Sequence, residues 1–322
     1  MIKQFKRNMT SGVLRPALFV VCVSALTSNA SAQTAQLNMA QMARDQVITA
    51  PTATTPTTSA DQTHVVTSPN DADLGEQQIL KRTEGYQPFY ASVSVPFYWT
   101  SNVALTNTHE VSDFLVSPVV ALGYQPHITE NLFANIGVRE QLFYYDRLTS
   151  FNFGSFDIDL GLTYTIPQAH NLILHAGYDY NRLTKKNSFD DFFNNHMFVL
   201  SAEMPFTINR AQQFSIGVDT YISMGGDPQG PRRHDFDGWI GYSVQATRAL
   251  VLSASFRLGV HDYVQTDRAD LTEMVALNAN YTINRYLSAG FLTSFAANQS
   301  NHSVFDYEVG NVGGVASFTI RF

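Results

Sequence analysis

From Tyr86 to Phe322 the chain alternates apolar and polar residues with a period of two. Phe89, Ala91, Val93, Val95, Phe97 and Trp99 alternate with Tyr90, Ser92, Ser94 and Tyr98. Ile158, Leu160, Leu162, Tyr164 and Ile166 alternate with Asp157, Asp159, Gly161, Thr163 and Thr165. Leu250, Leu252, Ala254, Phe256, Leu258 and Val260 alternate with Ser253, Ser255, Arg257, Gly259 and His261. Successive side chains of an extended chain point to opposite faces, so each run predicts a strand with one apolar and one polar face.

Two kinds of connection take turns between these runs. Short ones fall near Gln125-Pro126-His127, Pro167-Gln168-Ala169, Ile208-Asn209-Arg210, Thr247-Arg248 and Ile283-Asn284-Arg285. Longer polar ones fall near 100–112, 146–152, 181–195, 224–235, 262–270 and 297–303. The first apolar residues after the short turns are Leu132, Leu172, Phe214, Leu250 and Leu287, spaced 40, 42, 36 and 37 apart. That is a hairpin repeat, and it predicts about twelve strands, within a range of ten to fourteen, over 86–322. Several runs reach ten residues, the length of a tilted bilayer crossing rather than of a sandwich strand. The expected fold is all-β: a transmembrane antiparallel β-barrel preceded by a disordered N-terminal tail.

The N-terminal segment reads differently. Lys3, Lys6, Arg7 and Arg15 precede an apolar run over 17–26, and Ala30-Ser31-Ala32 follows. This is the pattern of a secretory signal peptide over 1–32, and the run is too short to span a bilayer. The chain's one cysteine, Cys22, lies inside it, so no thiol chemistry is expected after cleavage. Residues 33–85 contain the Thr/Pro/Ala tract at 51–60, which has little to bury and reads as a flexible periplasmic tail. Within it, 74–82 has the pattern of a short helix, a candidate plug for the barrel.

Composition narrows the function. Charged residues are 15%, aromatic 12%, and mean hydropathy is -0.10. A helical membrane protein is far more hydrophobic, and a disordered chain lacks the aromatics. Loss of the signal removes four basic residues, leaving 16 basic against 27 acidic and a net charge of -11. Such a balance argues against a nucleic-acid partner.

The chain ends Ala316-Ser317-Phe318-Thr319-Ile320-Arg321-Phe322. With Phe318, Ile320 and Phe322 in alternation, it resembles the C-terminal insertion signal of Gram-negative outer-membrane barrels. That resemblance implies the barrel assembly machinery as a partner during insertion, and the outer membrane with its lipid and lipopolysaccharide as the destination. Trp99-Thr100-Ser101-Asn102-Val103-Ala104-Leu105-Thr106, followed by 111–118, is similar to the first hairpin of β-barrel porins. It implies the fold more than any solute.

Chemistry is expected in the lumen. If the apolar parity faces lipid, the opposite parity points Asp157, Asp159, Asp179, Glu203, Asp219 and Asp237 inward, with Arg139 and Arg257 as counter-charges. These are the candidate pore-lining residues, and the excess of acids favours cations. Trp239, Phe133, Phe143 and Tyr145 share that parity and narrow the lumen. Glu140 and Glu273 fall on the lipid parity, which places them near the outer rim or requires a bulge. The leading reading is a porin-like channel for passive passage of small hydrophilic solutes, without catalysis, cofactor or metal. A structural or adhesive barrel with no open pore is the alternative, and an autotransporter-type translocator a more remote one. Enzymatic barrels fit less well. His302-Ser303 lacks the His-x-Ser spacing of barrel lipases, and Asp190-Asp191, His234-Asp235 and His261-Asp262 only faintly resemble an omptin-type acid and Asp/His arrangement. The sequence leaves the solute and the oligomeric state open.

Overall fold

The computed structural model describes residues 33–45, 86–186 and 190–322. The expected signal peptide with Cys22 and the expected helix at 74–82 lie outside the described residues. Alternation produces thirteen strand segments: β1 (Phe89–Thr100), β2 (Asp113–Val116), β3 (Val119–Tyr124), β4 (Leu132–Tyr145), β5 (Phe153–Ile166), β6 (Leu172–Lys185), β7 (Asp191–Asn209), β8 (Gln212–Asp227), β9 (Arg233–Gln245), β10 (Leu250–Tyr263), β11 (Ala269–Thr282), β12 (Leu287–Ser300) and β13 (Tyr307–Arg321). From β4 onward each pairs antiparallel with its sequence neighbours, and β13 closes on β1 from Tyr90↔Arg321 to Thr100↔Asn311.

β2 and β3 are halves of one strand, both lying between β1 and β4. The break is Ser117-Pro118, where proline has no N–H to give to the ladder. One bond survives on each side: the Ser117 N–H donates to the Pro96 carbonyl at 2.8 Å, and the Leu142 N–H to the Pro118 carbonyl at 3.0 Å. The result is a closed twelve-strand antiparallel barrel, as the hairpin repeat predicts. Closure leaves no unpaired sheet edge, which hydrocarbon would not satisfy.

The outer wall is apolar and exposed, with Val93, Leu122, Leu162, Val218, Val275 and Leu277 all on the outward parity. Aromatic Trp99 and Tyr144 stand near the loop end, and Phe89, Tyr164, Tyr281 and Phe322 near the turn end. Such a band between two aromatic girdles matches a bilayer. Val275 sits near the middle of its strand, between Phe256 and Phe295. Val275→Arg is expected to cost about 2–4 kcal/mol of stability, the range for a basic residue at the bilayer midplane. Urea unfolding in lipid vesicles checks it, and an unchanged midpoint would remove this face from the membrane.

Glu140 and Glu273 keep the lipid parity without any bulge, since the register shifts occur only in β6, β7 and their partners. Glu140 opposes Phe156, which opposes Arg182 on its other side, so an outward acid and an outward base share one row towards the loop end.

Two expectations change. The loops expected at 181–195 and 224–235 are largely strand. Asn181 pairs with Asn195 and Asn194 with Asp227, so polar ladders carry β6 to β9 beyond the apolar band. And of the tail expected over 33–85, the stretch 33–45 is a helix, α1, inside the barrel.

Candidate functional site in the barrel lumen

α1 has the sequence Gln-Thr-Ala-Gln-Leu-Asn-Met-Ala-Gln-Met-Ala-Arg-Asp, rich in strong helix formers. Thirteen residues alone are marginal as a helix in water, so packing must hold it. Ala35, Leu37, Met39, Ala40, Met42 and Ala43 are all buried, in one cluster with Tyr98, Leu115, Phe143, Tyr145, Phe153 and Leu183 of the inner wall. Leu37, Met39 and Met42 are 8%, 1% and 6% exposed. Each such side chain contributes roughly 1.5–3 kcal/mol when removed from water. The loop half of the lumen is therefore filled by a helix that packs its apolar side chains on an apolar part of the inner wall.

Polar contacts set the depth and direction of α1. The Gln36 side-chain amide donates to the Phe151 carbonyl at 3.2 Å, in the loop between β4 and β5. Arg44, at the other end of the helix, donates to Asp157 at 2.5 Å, further down β5. The helix thus enters at the loop mouth and points its C-terminus into the barrel. Between these ends, Arg233 donates to the Asn38 side chain at 2.7 Å, to Tyr263 at 3.1 Å, and to the Gln41 side-chain oxygen. Arg233 also pairs with Asp235 at 2.8 Å, and Asp235 with His261 at 2.6 Å. Both Arg233 and Asp235 are buried, at 5% and 6% exposure. A buried charge needs a partner and hydrogen bonds: the wall supplies Asp235, His261 and Tyr263, and α1 adds Asn38 and Gln41.

Below the helix lies a cavity of about 380 Å³, lined by Arg44, Arg139, Asp157, Asp159, His175 and Asp179 among others, and reaching Tyr90 near the turn end. Of the inward acids expected from the sequence, Asp157, Asp159, Asp179 and Asp219 line this cavity, while Asp237 lies in a smaller pocket against α1 and Glu203 lines neither. Asp157 is buried, held by Arg44 and by the Asn181 amide at 2.6 Å. Asp219 and Asp237 face each other across β8 and β9, and Arg257 lies between them, 3.1 Å from the first and 3.6 Å from the second. Gly259 makes room there, because a Cβ would fall 2.4 Å from the Asp237 carboxylate. Asp159 and Asp179 face each other across β5 and β6. Asp159 has His175 at 3.9 Å, and the Asp159 side chain is 45% exposed. Glu203 is half-buried on the inner parity of β7. Arg139 donates to the Gln141 side chain at 2.5 Å. Phe133, Phe143 and Tyr145 are buried inside, and Trp239 lies over Gly217 on the inner wall.

The histidines divide. His261 is buried on the inner wall, while His196 accepts or donates with Tyr178 at 2.6 Å on the outer one. His302 bonds Asp267 at 2.9 Å between the outer loops, and this bond holds the Asp267 carboxyl below its ordinary range. Among the described residues no three His, Cys, Asp or Glu side chains gather as metal ligands do. At the end of the chain, Phe318 and Phe322 face outward, and Phe322 exchanges both backbone bonds with Phe89, at 3.1 and 3.0 Å.

Sequence reasoning missed α1 and its dock, Arg233, Asp235 and Asn38. The signal was present: apolar Ala35, Met39, Met42 and Ala43 recur at helical spacing. It is masked by the low-complexity tract that follows.

The sequence matches no family model and no curated protein. Among solved structures the chain is similar to the COG4313 outer membrane channel from Pseudomonas putida F1, at 14% identity and a TM-score of 0.51, over 73% of this chain and 96% of that one. Weaker likenesses include the outer membrane channel DcaP of Acinetobacter baumannii, at 7% identity and 0.41, over 72% and 96%. The translocator domain of autotransporter NalP from Neisseria meningitidis gives 13% and 0.39, over 75% and 90%. The likeness shows an outer-membrane β-barrel fold.

Proposed function

We propose that the protein is a passive outer-membrane channel for small hydrophilic solutes, plugged in its outer half by α1, with no catalysis. The observation that carries this reading is the polar, charged cavity of about 380 Å³ beneath a helix that fills the other half of the lumen. In this orientation the short turns face the periplasm and the longer loops the cell exterior, with lipopolysaccharide around the outer girdle. β13 with outward Phe318, followed by outward Phe322, is the segment that the assembly machinery would read.

The pore favours cations mildly. Arg44 pairs with Asp157 and Arg257 is shared by Asp219 and Asp237, so these acids keep one negative charge in excess, and Asp159 and Asp179 against Arg139 add another. The expected result in planar bilayers is a small conductance with a reversal potential on the cation side under a salt gradient. Asp159→Asn with Asp179→Asn should move it toward anions, while Asp157→Asn should act chiefly by freeing Arg44. The second reading, a barrel that conducts nothing and works through its loops, is favoured by the apolar packing of α1 on the inner wall. Absence of any conductance, with and without the helix, would select it.

A further inference from the structure

The lumen contains the same motif twice, an aspartate directly opposite an aspartate on the next strand, and the two copies differ in what lies between them. Like charges opposite one another in a sheet repel. At Asp219/Asp237 the repulsion is relieved by Arg257, whose guanidinium reaches both carboxylates and is 4% exposed. At Asp159/Asp179 no Arg or Lys lies within ion-pairing distance of either carboxylate among the described residues; His175 lies 3.9 Å from Asp159, and Arg44 and Arg139 act on Asp179 from further away. The Asp179 Oδ1 is buried and accepts no hydrogen bond, as is also true of the Asp237 Oδ2 in the bridged pair. This pair opens on the cavity of about 380 Å³, within the range of small-molecule sites.

The same cavity holds the opposite charge. Arg139, on β4, lines it, and among the described residues its one hydrogen bond to a side chain goes to neutral Gln141. The carboxylate across the ladder from it, Asp157, is taken by Arg44 and Asn181. A simple cation would satisfy the acids and leave the guanidinium with only an amide, and a simple anion would do the reverse. His175 packs against Gly161 and Gly177, where any Cβ would fall within 2.9 Å of its ring, and it bonds Thr163 at 3.1 Å on the same wall.

We infer that Asp159, Asp179 and Arg139 form a seat for a zwitterionic solute, a short amino acid. Its ammonium group sits between the two carboxylates as Arg257 sits between Asp219 and Asp237, and its carboxylate lies on Arg139. The inference rests on the channel reading only in that solute enters the lumen. It makes the lower lumen a selective station for molecules that carry both charges, since a guanidinium and a carboxylate pair each form charge-assisted hydrogen bonds of fixed geometry.

The test is equilibrium binding to the full-length protein in detergent micelles, read by saturation-transfer NMR. Glycine, β-alanine and 4-aminobutyrate are the probes, with butylammonium and butyrate as single-charge controls. Saturable binding of at least one zwitterion is expected, at least tenfold tighter than either control. It should weaken at least tenfold in Asp159→Asn with Asp179→Asn, and again in Arg139→Gln, each variant first checked for heat-modifiable gel migration. The carboxylate changes are isosteric, so they report even if Arg139→Gln fails to fold. Equal binding of zwitterion and butylammonium would remove Arg139 from the seat and overturn the inference, as would no saturable binding. A protein that conducts in bilayers but binds no zwitterion loses the seat and keeps the channel. One that binds but never conducts loses the channel.

Discussion

Deleting residues 33–45 is expected to raise single-channel conductance severalfold. In the intact barrel the loop half of the lumen is filled by Leu37, Met39 and Met42 packed against Tyr98, Leu115, Phe143 and Phe153. Ions passing this plug must shed part of their water against apolar side chains, which is costly and keeps the current small. The barrel wall does not need the helix, because its ladder closes between β1 and β13. The deleted protein should therefore keep its gel mobility shift, give larger and steadier conductance steps, and admit neutral sugars in a liposome-swelling assay. Equal conductance for both forms would mean that the helix is not the barrier. It would move the constriction to the lower lumen, where Trp239 overlies Gly217.

Replacing Arg233 by alanine is expected to have the largest effect on stability. Arg233 joins three parts of the structure: β9 through Asp235, β10 through Tyr263, and α1 through Asn38 and Gln41. Removing it leaves Asp235, which is 6% exposed, with His261 and the Gln41 amide as its remaining partners. Breaking a buried pair in this way costs about 3–5 kcal/mol, and His261 places the loss near the lower end. The helix loses its middle anchor at the same time, so the variant should unfold earlier in urea and also show flickering conductance. Adding Asp235→Asn should recover most of the stability, because the stranded charge is then gone, but not the anchoring of the helix. If Arg233→Ala alone unfolds like wild type, Asp235 is not isolated by the loss, and the dock is weaker than its geometry implies.

The register of the wall is where sequence and structure agree most closely. Alternation through Asp157-Ile158-Asp159-Leu160 assigns each side chain to lumen or lipid, and a slip of one residue would put a carboxylate into hydrocarbon. The cost of that error makes the pattern a guide to facing, and Asp157 and Asp159 both line the cavity. Strand lengths were less legible. Asn181, Asn194 and Asn195 are compatible with either loop or ladder, and only the partner strand decides.

Sequence alone determined the period-two pattern, the hairpin repeat and the set of residues facing inward, because these follow from the geometry of one extended chain and the chemistry of its two faces. Only the tertiary structure decided that Arg257 bridges one aspartate pair while the other stays open to the cavity. That depends on which strands the closed barrel sets side by side, a matter of ladder order rather than of spacing along the chain. Tertiary structure also decided the fate of 33–45. A short amphipathic segment is marginal by itself, and its helix exists because a collar of inward side chains from many strands surrounds it. Neither the collar nor the Arg233 dock is local in sequence. Asn38 and Arg233 are 195 residues apart, and their contact exists only once the barrel has closed around the helix.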